Sequence, residues 1–430
     1  MKRYLGIDLG ATSIKLFVNK DESNDLIEVY RFKNIIKNIN NSYVWDVDYI
    51  FNNILYGIHK VLDKYPDLET IGIDSWGCDY VLLDNYGKVI NPVYCYRDKR
   101  TKESVSLVHE IIPFDDLYQI NGIQFQEFNT IYQLYWDKLH CRLDNAKYFM
   151  QIPSYIIYLL TGCVVQEITN LGTSGLLDIN TLEYSSVIIN KLKLPSHLFL
   201  DIKNRGESYE IKKDFNFKKN LKVFLVPSHD TASCIEGIGI NYDVPYISSG
   251  TWSLLGIKTN KPVINDITKK YNYSNELGPN YIRLQKNIMG LWIIERLSDE
   301  LNLTIQELID ISIKENEYIL FDVNDNSLFN PFSMVDAIKE LINNDKKEII
   351  IKSSFHSLAY SYKKAIEELE EIMYKNYQEI VIVGGGSKND YLNELTMVYT
   401  NKKVNALKIE ATALGNILNQ RKIDNETRSN

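Results

Sequence analysis

The chain has 430 residues, a net charge of −8, 45% hydrophobic and 24% charged residues, and five cysteines. These balances are ordinary for a globular protein with length for two domains, each with its own core. The negative charge, with no long basic run, excludes nucleic acid or an anionic membrane as the main partner. Cys78, Cys95, Cys141, Cys163 and Cys234 are scattered and form no Cys-x-x-Cys, so they read as reduced thiols of a cytoplasmic protein, not as a disulfide framework or zinc site. Asp8 interrupts the N-terminal apolar stretch, which excludes a signal h-region, and no apolar run is long enough to span a bilayer.

Residues 4–7 predict a short strand that enters Asp8-Leu9-Gly10-Ala11-Thr12-Ser13, and residues 14–18 predict a second strand. Strand, glycine-and-hydroxyl turn, strand is a hairpin that can wrap a phosphate. Asp8 is then either a carboxylate holding a metal through water or a solvated residue of a plain hairpin. Residues 46–64 have helical spacing, with Ile50, Ile54, Ile58, Val61 and Leu62 on one face. Residues 70–75 read as a core strand ending at Trp76-Gly77-Cys78-Asp79, and residues 80–84 as another strand. Trp76 and Asp79 suit a sugar wall and a hydroxyl acceptor, or equally a core Trp and a turn Asp. Residues 96–101 are a charged segment opening a helix. Residues 129–138 and 153–160 predict helices, the second stopping at Thr161-Gly162. Residues 170–178 read as rich in Gly, Ser and Thr and then strand-like, and 203–222 as polar surface.

The strand expected over 223–226 breaks at Pro227 and gives way to a helix, with Asp230 at the junction. Such junctions, at carboxyl ends of strands, are where α/β folds place ligands, although Ser228 or Asp230 can also simply cap the helix. Residues 241–245 read as the passage between two domains, 1–241 and 242–430. Residues 246–256 then repeat the apolar hairpin, with Ser248-Ser249-Gly250-Thr251 at its bend. Residues 258–280 read as loop. Residues 286–295 read as the start of a helix in which Asn287 is a cap or a ligand contact. Short helices follow at 305–313 and from Ser333 to 341, and a long one at 353–374. A buried strand over 379–383 feeds Gly384-Gly385-Gly386 and a helix. Three glycines there let backbone approach a flat or anionic ligand, but form neither a Walker A nor a Gly-x-Gly-x-x-Gly motif. A last strand at 403–406 and a closing helix at 410–420 precede a polar tail expected to fray. The two halves thus each open on a hairpin carrying glycine and hydroxyls, and two such loops facing each other across a cleft can hold a polyphosphate.

With these segments in this order, the chain resembles the FGGY carbohydrate kinases nearly end to end. The matching segments include Gly6-Ile7-Asp8-Leu9-Gly10-Ala11-Thr12-Ser13, Ile73-Asp74-Ser75-Trp76-Gly77-Cys78-Asp79-Tyr80, Ser228-His229-Asp230-Thr231-Ala232-Ser233, Ser248-Ser249-Gly250-Thr251-Trp252-Ser253 and Gly384-Gly385-Gly386-Ser387. The resemblance implies an α/β protein with two ribonuclease H-like (actin/hexokinase-type ATPase) domains flanking a catalytic cleft. It implies ATP and Mg²⁺, with Asp230 as general base and Asp8 helping to place the metal. Ala11, Thr12, Ser13, Lys15, Thr251 and Glu295 would meet the nucleotide, and Gly384, Gly385 and Gly386 would line its pocket. Trp76, Gly77, Asp79, His229, Thr231 and Asn287 would meet the sugar. The Ser-His-Asp-Thr-Ala-Ser and Ser-Gly-Thr-Trp-Ser segments favour the branch that phosphorylates L-rhamnulose. A kinase for L-fuculose or a xylulose-type ketose, a partner-driving ATPase and a sugar sensor are the rival readings. The expected partners are a ketose and MgATP, with the protein a monomer or homodimer. Lys15 stands where relatives often carry Arg, Glu295 where they carry Gln, and the chain is shorter than relatives around 316–329.

Overall fold

The computed structural model describes residues 2–429. Met1, and Asn430 of the expected tail, lie outside the described residues. The framework is two six-stranded mixed sheets. The first contains β1 (Arg3–Leu9), β2 (Ser13–Asn19), β3 (Leu26–Lys33), β4 (Leu68–Ser75), β5 (Ser208–Glu210) and β6 (Lys222–Phe224), in the order β5-β6-β4-β1-β2-β3. The second contains β7 (Tyr246–Ser249), β8 (Trp252–Thr259), β9 (Ser274–Leu277), β10 (Ile282–Met289), β11 (Glu379–Val383) and β12 (Lys403–Ala406), in the order β9-β10-β8-β7-β11-β12.

The two sheets follow one plan. In the first, β3, β2 and β1 pair antiparallel, and β4 and β6 then join parallel. In the second, β10, β8 and β7 pair antiparallel, and β11 and β12 join parallel. Each sheet therefore presents, at the same end, the turn of its first hairpin and the carboxyl end of its first parallel strand. Those ends are Gly10–Thr12 with Trp76 in one half, and Gly250–Thr251 with Gly384 in the other. Two copies facing each other create the cleft.

The helix α1 (Val47–Lys64) covers the first sheet as its periodicity predicts. Asp46 caps it by accepting from Tyr49 N, and Ile50, Ile54, Ile58, Val61 and Leu62 are buried. Each such side chain contributes about 1.5–3 kcal/mol of burial. Helix α2 (Asp230–Ile238) leaves the first sheet toward β7. Helices α3 (Trp292–Leu301) and α4 (Lys347–Met373) pack on the second sheet. Among the described residues, no helix is long and apolar enough to cross a membrane.

The closing helix α5 (Ala411–Ser429) is the last element of the C-terminal half, yet it lies on the N-terminal sheet. Gln420 Nε2 donates to Leu5 O (2.9 Å) and Thr70 Oγ1 donates to Gln420 Oε1 (2.7 Å). The expectation of a frayed tail is overturned. Arg421 binds the carbonyls of Asp21, Glu22 and Ser23, and Lys2 pairs with Asp424 at 2.7 Å.

Three other expectations change. Residues 286–289 belong to β10, and the helix begins only at Trp292, because pairing with β8 from Trp252 to Thr259 overrides the helical spacing. Residues 258–280 contain the end of β8, a helix at Asp266–Lys270 with an Asn265–Thr268 capping box, and β9. Residues 170–178 are not a strand: they follow a short helix, Ile168–Leu171, and turn beneath the cleft.

Helices α2 and α5 cross backbone to backbone at Gly237 and Gly415. A Cβ on Gly415 would sit 1.7 Å from Ser233 O and 2.7 Å from Gly237 N. Main-chain atoms cannot yield as a flexible side chain does, so Gly415→Ala is expected to destabilise the protein by about 1–3 kcal/mol. A lower urea midpoint checks this, and an unchanged midpoint contradicts the close crossing.

Candidate active site

The β1–β2 turn is held by Gly10 N donating to Ser13 O (3.1 Å), with Asn34 bonding Thr12 O and Gly10 O. The β7–β8 turn is held by Gly250 N donating to Trp252 O (2.8 Å) and by Leu291 N donating to Gly250 O (2.8 Å). Gly384, at φ +80°, lies so near Ser249 that a Cβ would meet its carbonyl at 2.6 Å. Only glycine takes that conformation without strain. These loops, with the ends of β4 and α2, enclose a cleft of about 330 Å³.

Fifteen of the seventeen expected contact residues line this cleft: Asp8, Ala11, Thr12, Ser13, Lys15, Trp76, Gly77, His229, Asp230, Thr231, Thr251, Asn287, Glu295, Gly384 and Gly385. Asp79 and Gly386 stand behind its wall. The Asp79 carboxylate receives Trp45 Nε1 (2.7 Å), Trp76 Nε1 (3.0 Å), Tyr96 N (3.1 Å) and Gln133 Nε2 (3.3 Å), so it fixes the Trp76 ring from behind. Gly386 packs on Ser249 Oγ, where a side chain would push the β7 end into the cleft. Asn287 lies on a strand, not at a helix start. Its N–H donates to Gln124 Oε1 (3.0 Å), and its own Oδ1 is buried without a partner.

The junction that presents Asp230 is clamped by residues 167–170, the short helix and its cap just ahead of the 170–178 turn. Glu167 Oε2 accepts from Ser228 N (2.9 Å), Ser228 Oγ (2.7 Å), Thr169 N (3.0 Å) and Thr169 Oγ1 (2.6 Å). Asn170 Nδ2 donates to Trp76 O and Ser228 O, both at 3.1 Å. Asp230 becomes the first residue of α2, its Oδ1 accepting from Thr231 N at 2.5 Å and Thr231 Oγ1 at 3.1 Å.

Three carboxyl groups converge here. Asp8 and Asp74 are register partners on β1 and β4. Burial, with Glu410 adding to it against Lys15 and Arg31, pushes Asp8 up to about 6. Burial and the neighbouring Asp8 push Asp230 up to about 7, against the Thr231 hydrogen bonds and Arg283. Asp74, enclosed and flanked by Asp8 and Asp230, is held well above the carboxylate range despite its bond from Asn416. Lys15 pairs with Glu410 at 3.2 Å, and Glu410 also receives Lys388 at 2.8 Å. Burial raises Glu295, Asp299 adds to this and Arg97 opposes it. Burial also raises Cys78 far beyond the usual thiol range, which leaves it inert.

The mouth is bridged by aromatic rings. Phe128 stacks on Phe329 (6.0 Å between centroids) and meets Trp252 at 5.8 Å. Arg97 lies 4.2 Å over the Trp292 ring and donates to Phe329 O at 3.2 Å. Sequence reasoning missed Phe128, Glu276 and Arg283. The signal for Arg283 was a lone cation between apolar residues in Tyr281-Ile282-Arg283-Leu284, a stretch left unassigned between the loop read at 258–280 and the helix read from 286.

The profile of the FGGY family of carbohydrate kinases matches its N-terminal domain to residues 3–223 and its C-terminal domain to residues 245–421. A rhamnulokinase of Bacillus subtilis is 36% identical, covering 97% of this chain and 89% of its own. A rhamnulokinase of Halalkalibacterium halodurans is also 36% identical, covering 98% of this chain and 93% of its own. The fold is similar to a ligand-bound xylulose kinase from Lactobacillus acidophilus (TM-score 0.84, 18% identity, 99% of this chain and 90% of that one). It is also similar to Plasmodium falciparum glycerol kinase with ADP (TM-score 0.79, 18% identity, 99% and 91%).

The raised carboxyls carry a stability consequence. A carboxyl whose folded value exceeds its unfolded one stabilises the fold fully below the unfolded value and loses that contribution as pH rises through the folded one. For Asp230 the window runs from the ordinary Asp value to about 7. Its side chain is 34% exposed to cleft water, so screening reduces the effect to about 1–2 kcal/mol. Asp230→Asn is therefore expected to raise the melting temperature at about pH 8 and leave it unchanged near pH 4. Thermal scans at the two pH values check the sign.

Proposed function

The chain belongs to the FGGY family of carbohydrate kinases, and we propose that it transfers the γ-phosphoryl group of MgATP to the 1-hydroxyl of L-rhamnulose. The observation that carries the chemistry is the carboxylate of Asp230, at the first turn of α2, facing the cleft between the two hairpin turns. The choice of sugar is supported by the two rhamnulokinase relatives, which span nearly the whole chain.

Phosphoryl transfer needs positioning, charge neutralisation and an acceptor for the hydroxyl proton. Asp230 is the acceptor. At about 7 its affinity for a proton suits a base working near neutrality, and the bonds from Thr231 hold its carboxylate in one rotamer. The sugar oxygen attacks the γ-phosphorus directly, the bond to the β-phosphate oxygen breaks, and ADP leaves without a covalent enzyme intermediate. Trp76, Gly77, His229, Thr231 and Asn287 orient the ketose. The unpartnered Asn287 Oδ1 is an acceptor for one of its hydroxyls.

The turns at Ala11–Ser13 and Thr251, with Lys15, face the phosphates, and Gly384 and Gly385 face the rest of the nucleotide. Among the described residues no three His, Cys, Asp or Glu side chains gather closely enough to cage a metal. The Asp8 carboxylate, lining the cleft beside the Ala11–Ser13 turn, fits Mg²⁺, which takes one or two carboxylates and completes its shell with water and phosphate oxygens. Asp8 would hold it, and the ion would neutralise charge on the phosphates.

ADP release with MgATP and a ketose panel tests the reading. L-rhamnulose should be preferred, and Asp230→Asn should lose about 10²–10⁴ in kcat. The base must be ionised, so kcat/KM of the wild type should fall as pH drops through about 7. Preference for another ketose overturns the substrate, and ADP release without sugar overturns the kinase reading. Glu295→Gln removes a like charge beside the nucleotide and should lower the KM for MgATP roughly fivefold, about 1 kcal/mol. A KM that rises would show Glu295 to be a favourable contact.

A further inference from the structure

Arg283 is one of the largest fully enclosed side chains, on β10, at the floor of the sugar side of the cleft. Its Nη2 lies 2.8 Å from His229 Nδ1, 3.1 Å from Leu277 O and 3.3 Å from Glu276 Oε2. Its Nε and Nη1 have no hydrogen-bond partner among the described residues. Glu276, on β9, is 7% exposed at its side chain and lines the cleft. A guanidinium sealed in this way needs a compensating charge, and Glu276 supplies it.

An arginine only donates hydrogen bonds. The two Nη2 hydrogens are taken by His229 Nδ1 and Leu277 O. His229 Nδ1 must therefore carry its lone pair, and the ring proton must sit on Nε2. A proton on Nδ1 would point at a donor 2.8 Å away. Nε2 faces Asp230, 3.4 Å from its Oδ1. The charged groups around the ring are Asp230 from α2, Glu276 from β9 and Arg283 from β10. Enclosure, then the Arg283 charge, hold the ring well below the usual imidazole range, in keeping with the same neutral form.

We propose that Arg283 is a positioning residue which locks His229 as a neutral, Nε2-protonated donor aimed at the reacting hydroxyl and Asp230, with Glu276 as the counter-charge that lets Arg283 remain buried. The lock divides the labour of the His-Asp pair. His229 has no free lone pair facing the cleft, so it cannot take the hydroxyl proton. It donates to the sugar oxygen or to the carboxylate, and Asp230 alone accepts. The inference rests on the kinase reading for its kinetic consequence, but not for the state of the ring.

The test has two arms. In the first, ¹⁵N-histidine-labelled protein is observed by NMR without substrate, the His229 signal being assigned by its loss in His229→Gln. The wild-type ring should show a proton on Nε2 only and should not titrate between about pH 6 and 9, where an ordinary histidine does. Freed of the lock in Arg283→Met, it should titrate or exchange tautomers. A wild-type ring protonated on Nδ1, or cationic at neutrality, overturns the proposal whichever sugar is used and whether or not any variant folds.

In the second arm, Arg283→Met should lower kcat/KM for the ketose roughly 10- to 100-fold, as for loss of a hydrogen bond to a charged group, and leave the KM for MgATP unchanged. Arg283→Lys, which keeps one donor, should recover part of the loss. His229→Gln, which keeps a donor near Nε2, should retain more activity than His229→Asn. In the His229→Asn background, Arg283→Met should cost no more than about twofold further, because the residue it acts through is gone. An equal loss in both backgrounds would show a structural role only and overturn the proposal. Failure of the ketose panel with a correct NMR result would instead sink the substrate assignment and leave the lock standing.

Discussion

The close crossing of α2 and α5 is the constraint on which the site depends. Helix α2 carries Asp230 at its first turn, and α5 carries Asn416, which donates to Asp74 on β4. Gly237 and Gly415 let the two backbones touch, so the helix that closes the second half can lie flat on the first sheet. Gln420 and Asn416 then replace side chains that Gly6 and Gly72 lack, filling the groove over β1 and β4 with amide groups. One crossing thus joins the halves, seats the helix that presents Asp230, and supplies the hydrogen bond that tempers the most enclosed carboxyl of the cluster.

The second organising feature is electrostatic. Burial raises Asp8, Asp74 and Asp230; Asp8 raises the other two further, and Asp230 adds to the rise of Asp74. The protein carries a net charge of −8, so its overall field repels a polyphosphate. The cleft offsets this locally with Lys15, the backbone of two turns and a partly protonated carboxyl cluster. Asp8, whose burial weakens the protein at high pH, would become a favourable partner for the divalent cation proposed above. This is a division between stability and activity of the kind expected at a functional site.

The two halves also meet at the mouth. Arg97 and Phe128 come from the N-terminal half, and Trp252, Trp292 and Phe329 from the other. Leu277 and Ile282 join the apolar cluster of the helical part of the first half, beside Leu134 and Phe149. The floor, the mouth and the α2–α5 crossing therefore join the same two halves, and the cleft is flanked by packing contacts.

The sequence alone determined the local chemistry. Glycine and hydroxyl patterns named both cleft-facing hairpins, the Pro227 break placed Asp230 at a strand–helix junction, and a 3.6-residue period named the buried face of α1. These are short-range properties, written in neighbouring residues. Register and proximity were decided only by the tertiary structure. The segment carrying Asn287 has helical spacing yet pairs as a strand, because β8 offers it a full ladder of hydrogen bonds. Asp79, read as a hydroxyl acceptor or a turn residue, is the clamp behind Trp76, because donors from Trp45, Tyr96 and Gln133 converge on it with Trp76. Arg283 meets His229 across 54 residues of chain, and α5 meets β1 across more than 400. Contacts at such separations are selected by the packing of whole layers, which no local pattern in the chain encodes.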